Sequence, residues 1–355
     1  MKTKYIILLK IAFTASIVAF LLIGCSKDTL EQDPDPDPSE EQTEPREVVR
    51  LMSCGEVDGP TANFSYNNAG FLTKIAVDHT QGTVNYKQST SYIYDNENKI
   101  TKVVDLQSIT DLSSNISEKK EEEFLYHYDN EGKVTKVDFP TGGDIIDSHV
   151  EVLYDDDDKV IETIRRVIRA VAGSNATTIA ESRSPFEYNA SGDRIKSDGP
   201  KTSTYINASG DQTQSVAGAE TYTYDSKGNL IEGIIPYSGG DRHIYHTYDD
   251  NESINYIIAN SMGITDRISM MAVPTIVDMA ARQVGRQSLN YYNPNNILTY
   301  KDITNGVVHW NNSWEYTYNE DGYPIAIEHI KRSPTVPSYN ATYHYTLTYE
   351  TITIE

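Results

Sequence analysis

An all-β fold, a large antiparallel up-and-down meander of about twenty strands that curls or closes like a barrel, is what this sequence predicts from three features. The first is a pentapeptide that returns ten times: YNNAG (66–70), YDNEN (94–98), YDNEG (128–132), YDDDD (154–158), YNASG (188–192), INASG (206–210), YDSKG (224–228), YDDNE (248–252), YNPNN (292–296) and YNEDG (318–322). Its first residue is Tyr in nine copies, its second Asp or Asn in all ten, and its fifth Gly in six. Asp or Asn at the start of a type I turn accepts a backbone N–H, and a left-handed residue then closes a bulged hairpin. The second feature is alternation on the flanks: Trp314, Tyr316 and Tyr318 fall on one side of a strand, Ser313, Glu315 and Thr317 on the other. The third is one long interruption, between Tyr248 and Tyr292, where a short helix is expected.

Taken in order, residues 1–24 read as a signal peptide. Lys2, Lys4 and Lys10 precede an apolar run from Ile11 to Ile23 that is too short for an ordinary spanning helix. It ends in Leu22-Ile23-Gly24-Cys25, which resembles the lipobox of bacterial lipoproteins; Cys25 is the expected lipidation site. Residues 25–48 form an acidic tether with alternating Asp-Pro, which self-repels, stays extended and buries no core. Residues 49–355 make a single β domain. Within it an insertion at about 257–287 carries a helix near 274–285, where Val273, Ile276, Val277, Ala280 and Val284 keep helical spacing and Pro274 suits a first turn.

Tyr dominates the aromatics, with 26 residues against 7 Phe and 2 Trp. Beside each turn its ring can pack on the core while its hydroxyl reaches water, so these residues read as a structural rim. After the tips, residues such as Ile100, Val134, Val160, Leu230, Ile254 and Ile325 are expected to open return strands.

The net charge of −22 excludes phosphate backbones and anionic lipid headgroups as partners, so no nucleic acid is expected. Cys54 is the only cysteine besides Cys25, which leaves no disulfide framework. No nucleophile elbow, P-loop, zinc-protease motif or dinucleotide fingerprint occurs, so neither a catalytic residue nor a cofactor is assigned. No metal site is assigned either. His243 and His246 in DRHIYHTYDD point to opposite faces of a strand, and the acids at 155–158 sit on a hairpin tip. Trp310 and Trp314, four apart and therefore on one strand face, are the candidate ligand-binding residues.

The tips YDNEGKV and YDSKGNL resemble the YD repeat of the RHS family. Residues 50–355, with the lipobox, acidic spacer, mid-chain insertion and terminal YHYTLTYETITIE, resemble a Bacteroidetes lipoprotein family of unknown function with a porin-like β-fold. That resemblance implies a fold and supplies no catalytic residues. The expectation is a non-enzymatic surface lipoprotein of the outer membrane, held through its N-terminal lipid, that binds a glycan or envelope protein or serves as envelope structure. The alternatives are a glycan-acting hydrolase and a periplasm-facing envelope assembly factor.

Overall fold

The structure is a computed structural model that describes residues 46–173, 176–190, 194–197, 201–236, 240–262 and 293–354. The signal peptide, Cys25, the tether up to residue 45 and the helix expected near 274–285 lie outside the described residues.

The N-terminal half contains β1 (Arg46–Glu56), β2 (Thr61–Tyr66), β3 (Leu72–Gln81), β4 (Val84–Tyr94), β5 (Ile100–Asp111) and β6 (Ile116–Tyr128). It continues through β7 (Val134–Asp138), β8 (Ile145–Tyr154), β9 (Val160–Ala170) and β10 (Thr177–Pro185). A run of shorter strands follows: β11 (Glu187–Tyr188), β12 (Arg194–Ser197), β13 (Lys201–Ile206), β14 (Gln212–Ala217) and β15 (Glu220–Tyr224). Next come β16 (Leu230–Ile235), β17 (Arg242–Glu252), the helix α1 (Ile254–Asn260), β18 (Asn295–Thr304), β19 (Val307–Tyr318), β20 (Pro324–Lys331) and β21 (Ala341–Ile354).

All 21 strands among the described residues belong to one antiparallel sheet. From β1 to β10 each strand pairs with its sequence neighbour, and the same holds from β15 to β21. β1 also pairs with β21, so the beginning and end of the meander meet. The remaining ladders join β10 to β13, β13 to β14, β11 to β12 and β12 to β15. The ladders give one linear order, with β14 at one end and β11 at the other; no described ladder closes it.

The recurrent pentapeptides are hairpin tips, and the turn chemistry is the expected one. Asp95 Oδ1 accepts the Glu97 and Lys99 amides at 2.9 Å. Asp129, Asp155, Asp225 and Asn207 do the same for the amides two and four residues on. The fifth position is left-handed whether it is Asn98 (φ 61°), Asp158 (φ 66°) or Gly132 (φ 86°), and a bulge falls at Tyr94, Tyr128, Tyr154 and Tyr224. INASG lies between the tips at 188–192 and 224–228 in an alternating meander, hence on the opposite rim. It is the one copy without Tyr.

The tyrosines correct one expectation. Their hydroxyls do not reach water. Tyr66, Tyr94, Tyr128, Tyr154, Tyr188 and Tyr248 donate to the carbonyls of Leu51, Leu72, Ile100, Val134, Val160 and Leu230, at 2.6 to 2.9 Å. Apart from Leu51, each acceptor opens the return strand of the preceding hairpin. The rings of Tyr66, Tyr94, Tyr128, Tyr154 and Tyr248 pack on the core while the hydroxyls staple one hairpin to the next, and burial, with Asp95 and Tyr154 adding to it, raises the Tyr128 hydroxyl to about 12.

Two copies are not separate tips. After YDDNE the chain enters α1, so Ile254 is helical and does not begin a return strand. Asp249 accepts the Asn251 amide in the usual way, but the second amide comes from Asn296 of YNPNN, at 3.2 Å. Tyr248 pairs with Ile297 as Tyr94 pairs with Ile100. YDDNE and YNPNN are thus the two halves of one hairpin tip into which residues 253–294 are inserted.

Ser253 caps α1 by accepting the Tyr256 amide at 3.0 Å. Ile254, Ile257, Ile258 and Ala259 are all buried, and Ile254, Ile258 and Ala259 join the main core with Leu72, Ile75, Ile100, Val103, Tyr126 and Val137. The helix end is fixed by the Leu72 amide, which donates to the Ser261 carbonyl at 2.6 Å. The apolar core therefore lies beneath α1, at the rim that carries the Tyr tips. Cys54 is buried in it, and burial pushes its thiol up to about 12, far from reactive thiolate character.

The opposite face of the sheet is charged. Asp78–Lys87, Lys102–Glu123, Arg166–Glu181, Arg183–Glu162 and Glu328–His344 pair across it. Among the described residues it has no unbroken apolar band of the kind a membrane barrel turns to lipid, and no described helix is long and apolar enough to cross a membrane.

The tips also set a pH dependence. At Asp129 the Lys133 amide is the largest influence, and with the Glu131 amide it holds the carboxyl below its ordinary range. A folded pKa below the unfolded value of about 3.9 gives stability that is present above that value and lost as pH falls through the folded pKa. Urea midpoints should therefore drop below about pH 4. Asp129→Asn, which keeps the acceptor as Asn207 does naturally, should make that drop shallower. An unchanged slope would show that the tip carboxylate is not linked to folding.

Candidate functional site

Away from α1 the core face turns polar. Thr90 donates to Asp105 at 3.1 Å, and Gln107 donates to the same carboxylate at 3.0 Å. Two regions of this face have the surface chemistry of a binding site.

The first is an aromatic wall on β18 to β21. Trp314 lies opposite His329 in the β19–β20 register and stacks on it, with centroids 4.6 Å apart and planes at 9°. Tyr343 packs on the other side of His329 at 5.6 Å. Trp310, on the same face, stacks on Tyr339 at 6.1 Å and carries the Lys331 ammonium 4.6 Å above its ring. The two tryptophans are thus on one face but differ in state. Trp314 is 7% exposed and sandwiched in the core, whereas Trp310 is half-buried beside the exposed Tyr339. Across from Trp310, Asp302 accepts from Arg242 Nε (3.1 Å) and Nη2 (2.8 Å). Its other oxygen and both ring nitrogens of His329 are buried with no hydrogen-bond partner among the described residues. Burial, with Lys331 adding to it, holds His329 down at about 4, so its ring is neutral at physiological pH and offers one donor and one acceptor.

The second is a cavity of about 340 Å³ over β9, β10, β13 and β14. Arg165, Ser182, Ser203 and Ser215 form one cross-strand row along it, and Tyr205 and Thr213 form part of the next. Arg165 leans on the Phe139 ring at 5.3 Å and makes no ion pair among the described residues. Glu181 lies between Ala180 and Ser182 of the cavity wall, so its side chain turns to the opposite face, where Arg166 (2.6 Å) and Arg183 (3.0 Å) hold it. The Arg166 hydrogen bond, set against burial, keeps its carboxyl below the ordinary range.

Nothing local in the sequence marks this second region. Its residues are 50 positions apart along the chain and meet only through the register of four strands. His243 and His246 lie on opposite faces as expected: His246 is buried, while His243 stacks on Tyr245 at 6.2 Å.

No family model matches the chain, and no curated protein matches it. Among solved structures it is similar to a porin-like protein from Bacteroides uniformis, with 12% identity, 80% of this chain and 98% of that chain covered, and a TM-score of 0.44. It is also similar to a porin-like protein from Bacteroides vulgatus, with 9% identity, 84% and 97% covered, and a TM-score of 0.28.

Proposed function

We propose that this chain is a lipid-anchored surface lipoprotein of the outer membrane whose β domain binds a hydroxyl-rich ligand, a glycan, without transforming it. The observation that carries this reading is the cavity over β9, β10, β13 and β14. A row of serines, a tyrosine and an unpaired arginine offer donors and acceptors suited to sugar hydroxyls, with the arginine free for an acidic group. The aromatic wall at Trp310 supplies a stacking surface on the same face of the sheet.

Binding is favoured over hydrolysis on chemical grounds. Glycoside hydrolysis uses two carboxyls, one of them kept protonated. Among the described residues no carboxylate faces the cavity: Glu181, the one acid in its lining, turns its side chain to the opposite face and pairs there with Arg166 and Arg183. Attachment through Cys25 is supported by Leu22-Ile23-Gly24-Cys25 and by the charged opposite face, which is ill-suited to lipid.

The test is a glycan array probed with the detergent-solubilised full chain, wild type against Arg165→Ala. Removing a charge-assisted contact should weaken binding of an acidic glycan about 10- to 100-fold. Release of reducing sugar from any array hit would overturn the reading in favour of a hydrolase, and equal binding by the variant would place the ligand elsewhere.

A further inference from the structure

We propose that Asp138, Asp147 and His149, on the charged face of the β7–β8 hairpin, bind a divalent transition-metal ion of the zinc type. One ligand atom from each residue lies within 4.8 Å of those of the other two. An ion held at about 2.1 Å by each donor spans donors about 3.4 Å apart in a tetrahedron, so closing the site needs shifts of at most about 1.4 Å at the widest pair.

The strands build this arrangement. Asp138 lies directly opposite His149 in the β7–β8 register. Asp147 and His149 are two apart on β8, in regular register with Ile168 and Arg166 of β9, hence on one face. These are rigid ladder positions, not loop tips.

His149 is the second observation. On a face turned to solvent its side chain is only 7% exposed, and carboxylates face both of its ring nitrogens: Asp147 at 3.1 Å from Nδ1 and Glu151 at 3.4 Å from Nε2. A divalent cation seated between Nδ1 and the Asp147 and Asp138 carboxylates would take the imidazole through that nitrogen and leave Nε2–H directed at Glu151, the usual outer-shell arrangement of a metal-bound histidine. His127 Nε2, 2.6 Å from Asp138 Oδ2, orients the second carboxylate from the far side.

A set of one imidazole and two carboxylates suits zinc or a neighbouring first-row ion better than calcium, which takes oxygen ligands. Two cations already face the group. Lys136 sits 2.7 Å from Asp138 and must swing aside, whereas Arg166, opposite His149 on β9, is occupied by Glu181. The ion would tie β7 to β8 in a chain that has no disulfide among its described residues.

Calorimetric titration of the full chain in detergent with zinc chloride is the test. We expect one ion bound per chain, with affinity at least tenfold lower in both His149→Gln and Asp147→Asn, and severalfold higher in Lys136→Met. The Lys136 variant keeps every proposed ligand, so it reports even where a ligand variant misfolds. An absence of saturable binding overturns the proposal. So does binding left unchanged by both Asp147→Asn and Lys136→Met, which would assign the ion to scattered surface histidines.

Discussion

In the variant Ile258→Asp, we expect urea unfolding to show a loss of about 4 kcal/mol or more. Ile258 is 1% exposed, at the centre of the face that α1 turns to the core. Removing a buried isoleucine costs about 2–5 kcal/mol on its own, and a carboxyl left without a partner adds to that. A helix of seven residues, rich in β-branched isoleucine, has no stability apart from its packing. The change should therefore release α1 from the Leu72 amide and open the core beneath it. Asn260→Asp, at the exposed end of the same helix, is the control and should stay within about 0.5 kcal/mol. A loss below about 1 kcal/mol for Ile258→Asp would mean that α1 does not contribute to the core as placed.

The second large effect is expected at the tyrosine staples. Tyr94 presents its ring to the core, 5.5 Å from Phe71, and donates its hydroxyl to Leu72. Tyr94→Ala should cost about 3–5 kcal/mol, as truncation of a packed aromatic does, whereas Tyr94→Phe should cost only about 1 kcal/mol for the lost hydrogen bond. Chemical denaturation of the two variants separates ring packing from stapling. A Phe variant as stable as wild type would show that water replaces the hydroxyl at no cost. Because Tyr128 and Tyr154 repeat the same contact, their Phe variants should give similar losses.

The sheet is readable in the sequence because its turn chemistry is local. Asp95, Asp129 and Asp225 each bond to amides two and four residues on, so a pentapeptide contains its own explanation. The staples are not local in this sense. The Tyr128 hydroxyl finds Ile100, 28 residues back, and a pentapeptide carries no sign of that partner. The paired halves YDDNE and YNPNN each look like a complete tip; only Asn296 meeting Asp249 reveals one tip opened by an insertion. The opposite rim has its own signal, Asn305-Gly306, with positive φ at both residues as a two-residue hairpin requires, yet it lies outside the Tyr-Asp pattern.

The candidate site was half legible. Spacing placed Trp310 and Trp314 on one face, but the burial of Trp314 against His329 depends on β20, and the Arg165 row depends on three further strands.

The pairing of β1 with β21 bears on how the chain is made. Ser53 and Thr348 meet through their hydroxyls although 295 residues separate them. β1 therefore keeps one margin unsatisfied until nearly all the remaining chain is available, and such distant partners close slowly. Its exposed amides over that interval invite pairing with other unfinished chains, an exposure that ends only when Ala341–Ile354 arrives.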